Sequence, residues 1–140
     1  MSRYWLLFPI VTALVLSAFA VRLELTAQEK KKREAAYQSA LQKYSQDLGP
    51  GLTRKEGETY FRSGGVKFGQ MGWLEERPED RTAFADLVKV GHEDAPWYCS
   101  ENYVYIAFEF AATEPHRPWV VSDTDVLKRI LIFRQLGGCL

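Results

Sequence analysis

The sequence predicts an α+β domain behind an N-terminal apolar segment, with two helices packed on a small antiparallel sheet. Three observations predict it. Tyr4–Val21 carries no charge between Arg3 and Arg22. Two helical patterns follow, divided by Gly49-Pro50-Gly51. After them come runs of alternating apolar residues, the strongest at Tyr103–Ala111 and Leu127–Leu136. A chain of 140 residues accommodates one domain of ordinary size. A hydrophobic share of 46 % supplies a core and argues against wholesale disorder.

The apolar block is roughly 18 residues long, just inside the length that spans a bilayer. It reads in two ways. As a signal peptide, Ser2-Arg3 is the charged start and Ala18-Phe19-Ala20 the small-residue cleavage site. As a retained anchor, residues 4–21 cross the membrane, with Pro9 tolerated near one end. Residues 1–21 are therefore signal peptide or transmembrane anchor, 22–36 a charged helical stalk, and 37–140 a single α+β domain. Orientation is set by opposing signals. Arg22, Lys30, Lys31, Lys32 and Arg33 outnumber the basic groups upstream, which places the C-terminal side in the cytoplasm by the positive-inside rule. The Ala-x-Ala triplet points to export, and an extracytoplasmic domain is the expectation taken forward.

The helical stretch from Glu24 to Asp47 opens on Glu29-Lys30-Lys31-Lys32-Arg33-Glu34, a solvated face that anionic headgroups can also hold. Tyr37, Ala40, Leu41, Tyr44 and Leu48 then recur at steps of three and four and form an apolar face for a sheet. Gly49-Pro50-Gly51 stops this helix. Thr53-Arg54-Lys55-Glu56 starts another with a capping box, in which hydroxyl and carboxylate satisfy each other's backbone amides. Tyr60 and Phe61 are its apolar contact, and Ser63-Gly64-Gly65 ends it. Gly57 inside it costs about 1 kcal/mol relative to Ala.

The remainder reads as β. Val66-Lys67-Phe68 opens a first strand and Leu87–Val90 forms another. In Tyr103–Ala111, Val104, Ile106, Phe108 and Phe110 share one face. In Leu127–Leu136, Leu127, Arg129, Leu131 and Phe133 are expected on one face and Ile130 and Ile132 on the other. Glu75–Arg81 and Glu114–Pro118 are loops. The last two strands form an antiparallel hairpin with a long connection.

The join between the helices, Leu48-Gly49-Pro50-Gly51-Leu52-Thr53-Arg54-Lys55-Glu56, resembles the L-x-x-G-M-T-R-x-E-V signature of small envelope lipoproteins of the outer-membrane assembly type (the SmpA/OmlA group). The resemblance implies two short helices followed by a three-stranded antiparallel sheet, a fold also similar to the repeats of β-lactamase-inhibitor proteins. This chain departs from the pattern in having Leu52 for Met and Gly57 for an apolar residue. It also has no lipid-accepting Cys at the end of the apolar block.

Function is approached largely by exclusion. Lys and Arg number 18, as do Asp and Glu, so the basic excess of a nucleic-acid surface is missing. His92, Cys99, His116 and Cys139 show no close ligand spacing, so no metal and no cofactor is expected. No small-molecule substrate is inferred. Glu79-Asp80 and His92-Glu93-Asp94 read as solvated loop charges. A Cys99–His116 pair would serve a small hydrolase only with an orienting group that no spacing supplies. No catalytic residue is expected. Cys99 and Cys139 either bridge a loop of roughly 41 residues, about 4 kcal/mol by chain entropy, or remain free thiols. Trp73, Trp97, Tyr98 and Trp119 are large aromatics at loop or strand-edge positions. They either fill an open sheet face or, for Trp97, Tyr98 and Trp119, anchor a partner, with Glu93 and Asp94 as rim charges. The expectation is a non-catalytic, membrane-anchored or exported envelope protein that binds a protein partner. The alternatives are an inhibitor-like module that inserts its Pro115–Pro118 loop into another protein, and a cytoplasm-facing accessory subunit of a membrane complex.

Overall fold

The computed structural model describes residues 7–72, 84–113 and 121–140. Its elements run α1 (Leu7–Asp47), α2 (Arg54–Ser63), β1 (Gly69–Gly72), β2 (Phe84–His92), β3 (Cys99–Ala111) and β4 (Val126–Cys139). The chain divides inside α1 into two units, Met1–Ala36 and Tyr37–Leu140.

The first unit is the apolar and charged part of α1. Its helix continues from the apolar block through Arg22, Leu23 and Leu25 with no break. It is long and apolar enough to cross a membrane. Val11, Leu14, Val15, Leu16 and Phe19 are each more than half exposed. An exposed apolar helix of this length suits a membrane span or a signal segment.

The second unit is an α+β domain with an antiparallel meander in the order β1-β2-β3-β4. One sheet face carries Val88, Ile106, Phe108, Phe110 and Leu127. Leu48 of α1's outgoing turn and Phe61 of α2 seal it. Tyr44 reaches the same core, its ring edge-on to Phe108 at 5.2 Å and to Phe61 at 6.2 Å. Rings in this geometry add about 1 kcal/mol each beyond the area they bury. Tyr37 closes the far end of α1's packed face and donates its hydroxyl proton to the His92 carbonyl at 3.2 Å.

Local chemistry explains the helix boundaries. Leu52 N donates to the Gly49 carbonyl, with Pro50 and Gly51 between them. Gly51 has φ +92°, so this is the turn that places Pro second and Gly third. The capping box is formed: Thr53 Oγ1 accepts from Glu56 N, and Thr53 N donates to Glu56 Oε2 at 2.8 Å. At the other end Val66 N bonds Phe61 O and Gly65 N bonds Arg62 O, a Schellman closure with Gly65 at φ +66°.

The sheet corrects three expectations. Val66–Phe68 is not a strand: its first residue is taken up in closing α2, and pairing begins at Gly69 opposite Leu87. The sheet therefore has four strands, one more than the resemblance implies. Leu127 does not share a face with Arg129, Leu131 and Phe133. A bulge beside Glu109 and Phe110 inserts an extra residue in β4 and rotates Leu127 to the helix side with Ile130 and Ile132. The opposite face holds Ala85, Leu87 and Ala107, with Met71, Tyr105, Leu131 and Phe133 around them.

Candidate partner-binding surface

Four of the five residues singled out for partner contact lie on one connection, the β2–β3 loop from Glu93 to Tyr98. Trp119 lies outside the described residues, as do Trp73, Glu79, Asp80, His116 and the Pro115–Pro118 loop.

The loop is tied down at several points. Glu93 N donates to the Asn102 carbonyl at 2.8 Å, and Asn102 Nδ2 donates to the Asp94 carbonyl at 3.4 Å. Pro96 starts a tight turn closed by Cys99 N to Pro96 O at 2.9 Å. Cys99 is disulfide-bonded to Cys139, its direct partner across the β3–β4 register. Leu140 N then donates to the Tyr98 carbonyl at 2.9 Å, so Leu140 braces the turn. Arg134 Nε lies 3.2 and 3.3 Å from the two Glu93 carboxylate oxygens.

On this base Trp97 is 90 % exposed and Tyr98 44 %. Their rings meet edge to face at 5.7 Å. Neither fills a sheet face. The turn points both outward, while Cys99, the next residue, goes inward. Leu140 is fully exposed beside them, and Leu136 is 43 % exposed on β4. An exposed indole on a braced turn offers a large apolar contact with little ordering entropy left to lose on binding.

Sequence reasoning missed the domain's other polar constellation. Arg54, the first residue of α2, is completely buried, with Asp86 of β2 and Asp125 before β4. Its Nη1 donates to Asp86 Oδ1 at 2.5 Å, its Nε to Asp125 Oδ2 at 3.3 Å, and its Nη2 to the Phe84 carbonyl at 3.0 Å. The guanidinium also lies 4.2 Å from the Phe110 ring centre. Burial pushes the Asp86 carboxyl up to about 6 although Arg54 draws it down. Asp86 Oδ2 has no partner among the described residues. The signal for this cluster was an acid inside an apolar strand, Phe84-Ala85-Asp86-Leu87-Val88. Reading that strand as starting at Leu87 passed over it.

Chemically, the cluster is closed to solvent and works as a tie. Arg54 N bonds the Asp125 carbonyl at 2.7 Å and Lys55 N the Asp123 carbonyl at 3.1 Å. The first turn of α2 is thereby stitched to the entry of β4. A third buried acid, Glu109, accepts from Arg129 Nε at 2.6 Å, and Lys128 Nζ lies 3.3 Å from its other carboxylate oxygen as an ion pair. Among the described residues no group of three or more His, Cys, Asp or Glu is arranged to hold a metal ion. Cys99 has no free thiol in its bonded state, so the Cys99–His116 hydrolase pairing lacks its nucleophile.

No protein-family model, curated protein or solved structure matches this chain.

Proposed function

We propose that this protein is a non-catalytic envelope protein, anchored or exported through its N-terminal helix, that binds a protein partner through the β2–β3 loop. Trp97 and Tyr98 are the contact residues, and Glu93 and Asp94 form the rim. The observation that carries the reading is Trp97: it is 90 % exposed on a turn whose base is held by a disulfide. Trp is among the residues most enriched at the positions that dominate binding energy. The apolar helix supports membrane attachment. The Cys99–Cys139 bond supports an extracytoplasmic domain over the cytoplasmic side favoured by the Lys and Arg count, because such bonds persist in oxidising compartments. The envelope setting also rests on the Leu48–Glu56 resemblance. The role requires no metal, cofactor or small-molecule substrate.

The test is a photoreactive residue placed at Trp97 in the full chain, cross-linked in native membranes, with exposed Lys43 of α1 as the control position. A discrete protein adduct from position 97, absent from 43, supports the reading. Trp97→Ala should then weaken binding to that protein by about 30-fold or more, as for a residue that dominates an interface. No adduct, or the same adduct from both positions, contradicts it.

A further inference from the structure

The basic run of α1 stands at a fixed distance from its apolar part. The helix is unbroken from Leu7 to Asp47, so Arg22 and the lysines at 30, 31 and 32 share one regular axis. Arg22 is the first charge after the apolar block. At the rise of an α-helix Lys30 follows it by about 12 Å and Lys32 by about 15 Å. Each headgroup layer of a bilayer is about 5–8 Å thick. A lysine side chain adds about 6 Å of reach and bends back toward the interface. With Arg22 at the hydrocarbon boundary, the three ammonium groups come within a Debye length, about 8 Å, of the headgroup phosphates.

These lysines are open to a ligand. Lys30, Lys31 and Lys32 are exposed. Among the described residues none of the three forms an ion pair, whereas Arg33 and Glu34 are engaged. Successive helical residues turn by about 100°, so the three cations spread around the helix. That arrangement suits a helix passing through the headgroup layer, which meets lipid on every side. A helix lying in the interface gathers its cations on one face instead. Charge is also gathered here. Between 22 and 36 five cations stand against three acids, although the whole chain is balanced at 18 of each. The surplus acid lies in residues 37–140, so attraction to an anionic surface is concentrated beside the apolar segment.

We infer that Lys30, Lys31 and Lys32 form a site for the headgroups of anionic phospholipids, in the bilayer that the apolar part of α1 enters. The ammonium groups donate charge-assisted hydrogen bonds to the phosphate oxygens. A lysine held near an anionic surface strengthens association by about fivefold. The inference rests on the membrane attachment of this helix and is independent of the Trp97 loop. It concerns the first unit of the chain alone.

The test uses the full chain in phosphatidylcholine vesicles. Ala27→Cys carries a donor dye, which labels selectively because Cys99 and Cys139 are bonded to each other. Energy transfer is read to a trace of acceptor-labelled phosphatidylglycerol or acceptor-labelled phosphatidylcholine. The inference expects phosphatidylglycerol to be enriched around the dye by about threefold or more. Salt at about 1 M, where the Debye length falls to about 3 Å, should remove the enrichment. Replacing all three lysines, Lys30→Gln, Lys31→Gln and Lys32→Gln, should remove it too, while Lys43→Gln should leave it intact. Glutamine matches lysine in helix propensity, so the triple variant keeps its helix. Inorganic phosphate should act no more strongly than chloride at matched ionic strength. Equal transfer to the two lipids, enrichment that survives in the triple variant, or selective displacement by phosphate, which would mark a free-anion site, overturns the inference. A chain that an alkaline wash strips from the vesicles overturns the membrane reading and this inference with it; a chain that stays without lipid preference overturns this inference alone.

Discussion

Removing Arg54 should unlock the joint between α2, β2 and the entry of β4. In Arg54→Met the side chain keeps much of its length, but three charged hydrogen bonds and the stacking on Phe110 disappear. Asp86 and Asp125 stay buried without their shared cation. Breaking a buried ion pair from one side costs about 3–5 kcal/mol, a large part of a small domain's total stability. The penalty should depend on pH. Without Arg54 the Asp86 carboxyl, already raised to about 6, is pushed higher and holds its proton through neutrality. Each pH unit above its ordinary range then costs the folded variant about 1.4 kcal/mol. The wild type carries only part of that slope, so the penalty should be about 1 kcal/mol smaller at pH 5 than at pH 7. Urea denaturation of the full chain in mild detergent, followed by near-ultraviolet circular dichroism, measures both. A loss below about 1 kcal/mol at both pH values, or a larger loss at pH 5, would refute the idea that Arg54 compensates buried acids.

Three further outcomes follow from the same structure. Because the folded Asp86 carboxyl is raised from 3.8 to about 6, its contribution is fullest below the lower value and is lost as pH rises through the upper one. Asp86→Asn should therefore gain stability relative to wild type between pH 4 and pH 7 in matched denaturation series, and a falling difference would contradict the sign. Gly57→Ala should stabilise the domain by about 0.5–1 kcal/mol through helix propensity. The added methyl would meet Leu52 at 3.4 Å and Phe110 at 3.5 Å, which are ordinary contacts, and thermal melting would expose any hidden clash. Reducing Cys99–Cys139, which closes a loop with a sequence separation of 40, should cost up to about 4 kcal/mol. Urea midpoints with and without reductant test that.

What could be read from the residues followed how local each signal was. The capping box, the Gly-Pro-Gly turn and the α2 stop depend on neighbours within a few positions, and all three formed. The long strands announced themselves by alternation. The bulge beside Glu109 did not, because a single extra residue appears only when β4 is laid against β3. That one residue moved Leu127 to the helix face. β1, Gly-Gln-Met-Gly, has almost no strand propensity of its own and is held by pairing with β2. The Arg54 cluster was hidden for a similar reason. Its members are 32 and 71 positions apart in the chain, and no local pattern links them. The aromatic loop was visible as composition, but its exposure came from the turn geometry that Cys99 fixes.

On the proposed reading the domain lies outside the cytoplasm, is oxidised and offers Trp97 to a partner. The intact mass of the protein from native membranes, taken without reductant after blocking free thiols, tests it most directly. The account predicts a species lighter by two hydrogens and carrying no blocking group, whether full-length or cleaved near Ala20. A chain with both Cys99 and Cys139 blocked would contradict it and put the domain on the cytoplasmic side, as the basic residues after the apolar segment favour.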